Sequence, residues 1–183
     1  FFDPHSPSQR VGGEVSKSFN TVKHQYPMLS LGNTYSEEEL RDFDKRIHKF
    51  VEDQIEYVCE LKYDGVSISL TYENGQLTQA VTRGDGTQGD DVTINVKTIK
   101  SIPLQLQGNF PSIFEIRGEI FIPHASFEDM NVKREQAGLE TFSNPRNTAS
   151  GSLKMQDSKE VSERPLDCFL YHMLGNKIPY NLH

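Results

Sequence analysis

The sequence predicts an α+β fold in which antiparallel sheets are flanked by helices, and three observations support this prediction. A capped segment with helical periodicity lies near residue 40, and a second helical segment follows Pro123. Between them lie several short segments rich in β-branched and aromatic residues. Two of these segments are separated by Asn74-Gly75, a dipeptide typical of the tight hairpins that join antiparallel strands.

The N-terminal part is predicted to be a linker followed by a helix. Residues 1–27 contain several prolines and glycines, show little apolar periodicity and begin without methionine, so we expect a lead-in segment that follows another domain. Residues 28–183 are predicted to form one domain. Ser36 and Glu39 have the spacing of a capping box, which predicts a helix start. Apolar residues at helical spacing then predict about four turns: Leu40, Phe43, Ile47, Phe50 and Val51.

The middle of the chain is predicted to form short strands. Segments 57–61, 66–72 and 76–82 combine β-branched and aromatic residues, and turn residues lie between them. After these strands, Asp90 or Asp91 is expected to cap a short helix that runs to Ile99.

The C-terminal part is predicted to alternate strands with helices. Segment 113–122 is expected to be a strand that Pro123 terminates. Segment 125–137 is expected to be a helix that Gly138 ends in a left-handed cap. Another short helix is predicted within residues 144–154, and a last strand over residues 166–174.

The composition is typical of a soluble protein rather than a dedicated nucleic-acid-binding module. The chain carries 19 basic and 26 acidic residues, and its formal charge of −7 argues against a surface built mainly to grip phosphate backbones. No apolar run approaches the ~20 residues of a membrane span. Cys59 and Cys168 lack the spacing of a metal site, so we expect reduced thiols and a cytoplasmic location.

Lys62 is the first candidate for catalysis. It lies in the sequence E-L-K-Y-D-G at residues 60–65, at the end of a predicted strand and two residues before Asp64. An amine attacks phosphorus only when unprotonated, so such a lysine needs partial burial or cationic neighbours to lower its pKa from the usual ~10.4. Asp64 would orient the amine or a metal ion. By itself, K-x-D-G is more often a solvated surface turn.

Other motifs change this balance. R-G-D-G follows at residues 83–86, E-I-R-G-E at residues 115–119, and F-S-N-P-R-N-T-A-S-G-S-L-K at residues 142–154. In order and spacing, these motifs together with E-L-K-Y-D-G resemble the adenylation domain of bacterial NAD-dependent DNA ligases. The resemblance runs from residues 8–13 to residues 168–171 and so covers nearly the whole chain.

The resemblance implies a nucleotidyltransferase fold, the ATP-grasp-like catalytic domain of DNA ligases, and a defined first reaction. Lys62 would attack the α-phosphate of the adenylyl half of NAD, expel nicotinamide mononucleotide and become adenylated. The adenylyl group would then activate a 5′-phosphate of nicked double-stranded DNA during replication and repair. Mg²⁺ would neutralise phosphate charge in these steps.

The resemblance also implies an adenine-binding set. Glu60 would bind the amino edge of adenine, Ser30 and Leu31 would line the pocket, and Tyr171 would stack on the ring. A carboxylate accepts hydrogen bonds from an exocyclic amine, and an aromatic face offers a flat apolar surface to a base.

Charged residues are implied for the rest of the nucleotide. Glu119 would contact the ribose, Arg83 would be another nucleotide-site residue, and Arg146 would lie near nucleotide or DNA phosphates. Glu115 and Arg117 stay unassigned. Since alternate strand residues face the same side, Glu115, Arg117 and Glu119 are expected to share one face.

The chain departs from the family pattern in two respects. Lys154 replaces a typical arginine, so a point-charge ammonium takes the place of a forked guanidinium and any phosphate role is weaker. The later family motif D-G-V-V-(I/V)-K does not occur before His183, so we expect a truncated domain that cannot join nicks alone. The remaining ligase domains would act in cis, and we expect a monomer with no membrane contact and no resident metal site.

Two alternatives stay open. The chain would instead be another lysine nucleotidyltransferase, such as an ATP-dependent ligase or a GTP-dependent RNA-capping enzyme, if label transfers from ATP or GTP. It would be a non-catalytic nucleotide-binding fragment if it binds AMP and NAD without covalent modification.

Overall fold

The computed structural model describes residues 18–175, so predictions for residues 1–17 and 176–183 lie outside the described residues. The chain divides into two compact units, residues 29–62 and a larger unit formed by the residues before and after them. The helices and strands, in chain order, are β1 Thr21–Lys23, α1 Glu37–Ile47, β2 Val66–Glu73, β3 Gln76–Thr82, β4 Gln88–Asp90, α2 Thr93–Val96, β5 Ile113–Phe121, α3 His124–Gln136, α4 Pro145–Leu153, α5 Ser158–Ser162 and β6 Asp167–Leu174.

The smaller unit contains α1, whose predicted start is confirmed. The Ser36 side chain accepts a hydrogen bond from the Glu39 amide at 3.2 Å, and the Glu39 carboxylate accepts one from the Tyr35 amide at 2.7 Å. The helix has 11 residues, about three turns rather than four. It ends early because the Lys49 and Phe50 amides bond three residues back, which tightens the last turn.

The predicted strand at residues 57–61 is wrong. These residues have no regular secondary structure, and Val58 and Leu61 are 67% and 79% exposed. A strand is stable only when its backbone pairs with a neighbour, and none of the described strands pairs with this segment. Residue type alone, here Tyr57 and Val58, was therefore misleading.

The larger unit is built on a four-stranded antiparallel sheet with the order β3-β2-β5-β6. Its four strands match the predicted segments closely, and the hairpin between β2 and β3 turns at Asn74 and Gly75 as expected. A second sheet pairs β1 with β4 and was not predicted, because strands of three residues are too short to show periodicity. The α+β class with antiparallel sheets is confirmed.

One face of the large sheet forms the core. Ile68, Leu70 and Tyr72 of β2 and Ile120 of β5 are at most 1% exposed. The Tyr72 hydroxyl donates to the Pro103 carbonyl at 2.7 Å, so this buried polar group is satisfied.

The other face of the sheet is polar along β2 and β5. Antiparallel register places Ser67 opposite Glu119, Ser69 opposite Arg117, and Thr71 opposite Glu115. The expectation that the three charged residues of β5 share one face is therefore confirmed. This face is the one on which a site can be built.

The later helices agree with prediction except around α2. The helix α3 ends before Gly138, which has φ 68°, and α4 begins after Asn144, whose side chain accepts from the Asn147 amide at 2.7 Å. The helix α2 has only four residues and does not reach Ile99. The Asp91 carboxylate accepts hydrogen bonds from the amide and the hydroxyl of Thr93, and Val92 rather than Asp91 is the N-cap residue of α2. Such a bond to the residue two positions on forms a turn that competes with a helix start. None of the helices in the described part of the chain is long and apolar enough to cross a membrane.

Candidate functional site

Ser67 connects three residues on the polar face of the large sheet. Its hydroxyl donates to Glu119 Oε2 at 2.8 Å, and its backbone carbonyl accepts from the Arg83 amide at 3.1 Å. The Tyr171 phenol lies close enough to Ser67 and Glu119 for both to influence its pKa. Glu119 is only 9% exposed, so its orientation depends on such partners. The structure thus brings together Glu119, Tyr171 and the backbone of Arg83.

A β-bulge in β6 gives Tyr171 its position. Gly118 pairs with Leu170, but Arg117 pairs with His172, so Tyr171 is the extra residue between them. Burial first, and then the negative charge of Glu119, raise the pKa of the Tyr171 phenol above its usual value. Tyr171 is 49% exposed, and its raised pKa keeps the phenol neutral at physiological pH.

Arg83 begins a tightly closed loop after β3. The Asp85 carboxylate accepts from the Thr87 amide at 2.8 Å, the Thr87 hydroxyl at 2.7 Å and the Gln88 amide at 2.9 Å. These hydrogen bonds hold the pKa of Asp85 at about 2. The loop is therefore held in one shape by its own side chains, and the strand β4 follows it directly.

The second half of K-x-D-G lies against the large sheet. Asp64 is exposed, and its Oδ1 lies 3.2 Å from Nη1 of Arg146 on the first turn of α4. Tyr63 stacks on Phe169 with ring centroids 4.2 Å apart, and Phe169 in turn stacks on Phe121. These contacts anchor the residue directly after Lys62 to strand β6.

Gly65 is required for close packing between β2 and β5. Its φ is not positive, but a Cβ atom at this position would overlap the backbone carbonyl of Ile120. Only glycine lets the start of β2 approach β5 so closely. The glycine of the motif thus helps to place Asp64 at the edge of the polar face.

Lys154 lies at the end of α4 and is held from two sides. Its Nζ atom lies 2.7 Å from Oδ2 of Asp90, and both side chains are partly exposed. The buried Asn95 side chain donates to the carbonyls of Leu153 and Met155, each at 2.8 Å. Leu153 and Met155 flank Lys154 in the chain. The Asn95 side chain therefore fixes the backbone on both sides of this cation.

The smaller unit carries the other four residues singled out from the sequence. Ser30 and Leu31 precede α1, whereas Glu60 and Lys62 follow it, and all four are exposed. Lys62 is the last residue of this unit.

Ser67, Asp90 and Asn95 were missed by sequence reasoning. Each becomes important only through a partner that is 52, 64 or 58 positions away in sequence: Glu119, Lys154 and Leu153. A serine at the start of a strand carries no signal of its own, since its partner depends on the pairing register. Asp90 was considered only as a helix cap.

The described residues do not contain a preformed metal site. Within residues 18–175, no group of three or more histidine, cysteine, aspartate or glutamate residues is arranged to hold a metal ion. Both cysteines are free thiols, Cys59 exposed and Cys168 partly buried. Asp64, Asp90 and Glu119 are instead paired with Arg146, Lys154 and Ser67, respectively.

Comparisons with known proteins identify relatives over the whole chain. A family model described as NAD-dependent DNA ligase adenylation domain matches residues 16–181. A protein named DNA ligase from Flavobacterium psychrophilum is 60% identical over all of this chain, and one from Parabacteroides distasonis is 56% identical. A DNA ligase from Cytophaga hutchinsonii is 60% identical over 95% of the chain. The chain spans only 26% to 28% of the length of these curated relatives.

Proposed function

We propose, from the premise that this chain belongs to the family of NAD-dependent DNA ligase adenylation domains, that Lys62 takes the adenylyl group from NAD. The observation that carries the proposal is the K-x-D-G sequence at residues 62–65, which lies within the matched region. The unprotonated Nζ atom donates its lone pair to the α-phosphorus, and a P–N bond forms. The bond from this phosphorus to nicotinamide mononucleotide breaks, and the leaving group takes the electron pair. Water accepts the proton that the amine loses.

The polar face of the large sheet supports binding of the nucleotide in the proposed nucleotidyltransferase fold. Ser67 engages one carboxylate oxygen of Glu119, and we assign the other to a ribose hydroxyl. The neutral, half-exposed ring of Tyr171 is suited to stacking on adenine. Arg83 is assigned to the nucleotide as well, because its backbone bonds to the same Ser67.

The remaining adenine contacts are proposed from the family resemblance alone. Glu60 accepts from the adenine amino group, and Ser30 and Leu31 border the ring. All three belong to the smaller unit, and so does Lys62.

The exposed cations at the two ends of α4 are proposed to meet phosphate groups. Arg146 and Lys154 are about half exposed, and each is paired with one carboxylate. Exposed pairs of this kind contribute only about 0–1 kcal/mol, so a phosphate can displace the carboxylate at little cost. Asp64 and Asp90 thus hold these cations in place until a phosphate arrives.

Mg²⁺ is proposed to arrive with the nucleotide rather than to reside in the protein. Mg²⁺ is usually held by one or two carboxylates together with substrate phosphates rather than by a dedicated cage of protein ligands. When bound, it would neutralise charge on the transferring phosphoryl group.

Sealing of nicked DNA is proposed for the whole protein rather than for this chain. The curated relatives are much longer than the chain, so other domains in cis would supply most of the DNA contacts. The negative formal charge of the chain agrees with this division of labour.

Intact-protein mass spectrometry tests the proposed reaction. We expect incubation with NAD and Mg²⁺ to add one AMP mass to the chain, and Lys62→Ala to abolish the addition. Labelling from ATP or GTP but not from NAD would instead identify another lysine nucleotidyltransferase. If neither the chain nor a longer version with the regions found in its relatives is labelled, while AMP still binds, the chain is a nucleotide-binding module.

A further inference from the structure

Arg117 makes three hydrogen bonds to protein groups from the polar face of the large sheet. Its Nε atom donates to Glu115 Oε1 at 3.0 Å, and its two terminal nitrogens donate to the carbonyls of Pro27 at 3.1 Å and Tyr26 at 2.7 Å. The side chains of Arg117 and Glu115 are only 14% and 7% exposed. Three of the five N–H donors of this guanidinium, one on each nitrogen, are therefore used by protein groups.

The carbonyls that Arg117 binds belong to residues 24–28, which we name the strap. The strap follows β1 in the chain and is hydrogen-bonded to the Arg83–Thr87 loop. The His24 amide donates to the Thr87 carbonyl at 2.9 Å, and the Met28 amide donates to the Gly86 carbonyl at 2.8 Å. Met28 itself is 5% exposed. The strap is therefore fixed to the loop at both of its ends.

Two further contacts show how closely the strap and the loop fit. His24 Nε2 lies 3.1 Å from the Arg83 carbonyl, and because a carbonyl only accepts, this nitrogen carries the proton. Gly86 has φ 93°, and a Cβ atom there would lie 2.8 Å from the Met28 carbonyl oxygen. No other residue fits at Gly86 without moving the strap.

We propose that Arg117, oriented by Glu115, is a positioning residue that holds the strap against the Arg83–Thr87 loop and thereby sets the position of Arg83 for the nucleotide. The forked guanidinium is required because one group must reach two successive carbonyls and a carboxylate at once. This inference rests on the proposed function only in assigning Arg83 to the nucleotide. It explains the one charged pair in the E-I-R-G-E motif that the proposed chemistry leaves without a role.

The test compares Arg117→Lys and Glu115→Gln with wild type. Lysine keeps a positive charge beside the buried Glu115 carboxylate, so this variant should fold, but a single ammonium cannot make all three contacts. Arg134→Lys is the matched control, because Arg134 also donates to a backbone carbonyl, that of Glu140, and lies outside the proposed site. Three quantities are measured: amide hydrogen exchange at His24 and Met28, AMP affinity by calorimetry, and the NAD dependence of Lys62 labelling.

Arg117→Lys is expected to speed exchange at the Met28 amide and weaken AMP binding by about tenfold each, as expected for loss of a charge-assisted hydrogen bond. The NAD concentration that half-saturates labelling should rise by a similar factor, with little change in the maximal rate. Glu115→Gln should shift the same quantities in the same direction, and the Arg134→Lys control should leave all of them as in wild type.

Unchanged exchange at Met28, or unchanged AMP affinity, in Arg117→Lys would overturn the inference. So would a loss of maximal labelling rate at unchanged half-saturation, since this would place Arg117 in the chemical step. A wild-type protein that NAD does not label would contradict the proposed function alone. In that case, amide exchange and AMP affinity would still decide whether Arg117 acts through the strap.

Discussion

The Ser67 hydroxyl donates to Glu119 Oε2 at 2.8 Å across the paired strands β2 and β5. This bond orients a carboxylate that is only 9% exposed and lies beside Tyr171. Strand pairing thus places a small uncharged residue where it controls the proposed ribose ligand.

Ser67→Ala is expected to weaken AMP binding and to lower the free energy of unfolding by about 1–3 kcal/mol, because it leaves a buried carboxylate oxygen without its donor. Urea unfolding and calorimetry with AMP measure the two effects. Ser67→Thr retains the hydroxyl on a strand that tolerates β-branching, and should recover most of both losses. Wild-type AMP affinity in Ser67→Ala would show that Glu119 does not depend on this contact.

Asn95→Ala is expected to destabilise the larger unit by about 1–3 kcal/mol, since one buried and one partly buried carbonyl at the end of α4 lose their donor. Asn95→Asp should be worse, because it adds a negative charge facing the same two carbonyl oxygens. Thermal unfolding of both variants gives this order. Asn131→Ala is a useful comparison, since Asn131 also bonds to backbone groups, those of Phe142, but is less buried. An Asn95→Asp variant as stable as Asn95→Ala would contradict the proposed role of the two hydrogen bonds from Asn95 to the backbone around Lys154.

Asp85 should make the stability of the protein depend on acid pH. Its folded pKa of about 2 lies below the unfolded value of 3.8, so the stabilisation is complete above 3.8 and is lost as the pH falls through about 2. Asp85→Asn should remove this part of the pH dependence and lower stability at neutral pH. Urea midpoints at a series of pH values test this, with Asp129→Asn on the exposed face of α3 as the control. If the urea midpoints of wild type and Asp85→Asn change with pH in the same way, Asp85 is not the source of this acid dependence.

The two cysteines should differ in their reactivity. Burial, with smaller contributions from Asp167 and Glu119, raises the pKa of the Cys168 thiol to about 12, so very little thiolate exists near pH 8. Cys59 is exposed. We expect iodoacetamide to modify Cys59 first and Cys168 only slowly, as followed by peptide mass spectrometry. Both should react together once the protein is unfolded in urea, and equal rates in the folded protein would contradict the burial of Cys168.

Local patterns predicted most of the larger unit correctly. The Asn74-Gly75 turn fixed the β2–β3 hairpin, and Asn144 and Gly138 marked helix boundaries, because each of these signals depends only on neighbouring residues. The segment at residues 57–61 failed for the opposite reason. Its Tyr57 and Val58 are typical strand residues, but strand formation depends on a pairing partner that residue type does not reveal.

The sequence by itself determined the α+β class, the family resemblance and the identity of the proposed nucleophile, since these depend on residue types and their order along the chain. Only the tertiary structure decided that Ser67 holds Glu119, that Asn95 clamps the backbone around Lys154, and that Arg117 holds the strap against the Arg83 loop. The physical reason is that each contact joins residues more than 50 positions apart. Their meeting depends on strand register, a bulge and helix packing, which are properties of the folded chain as a whole.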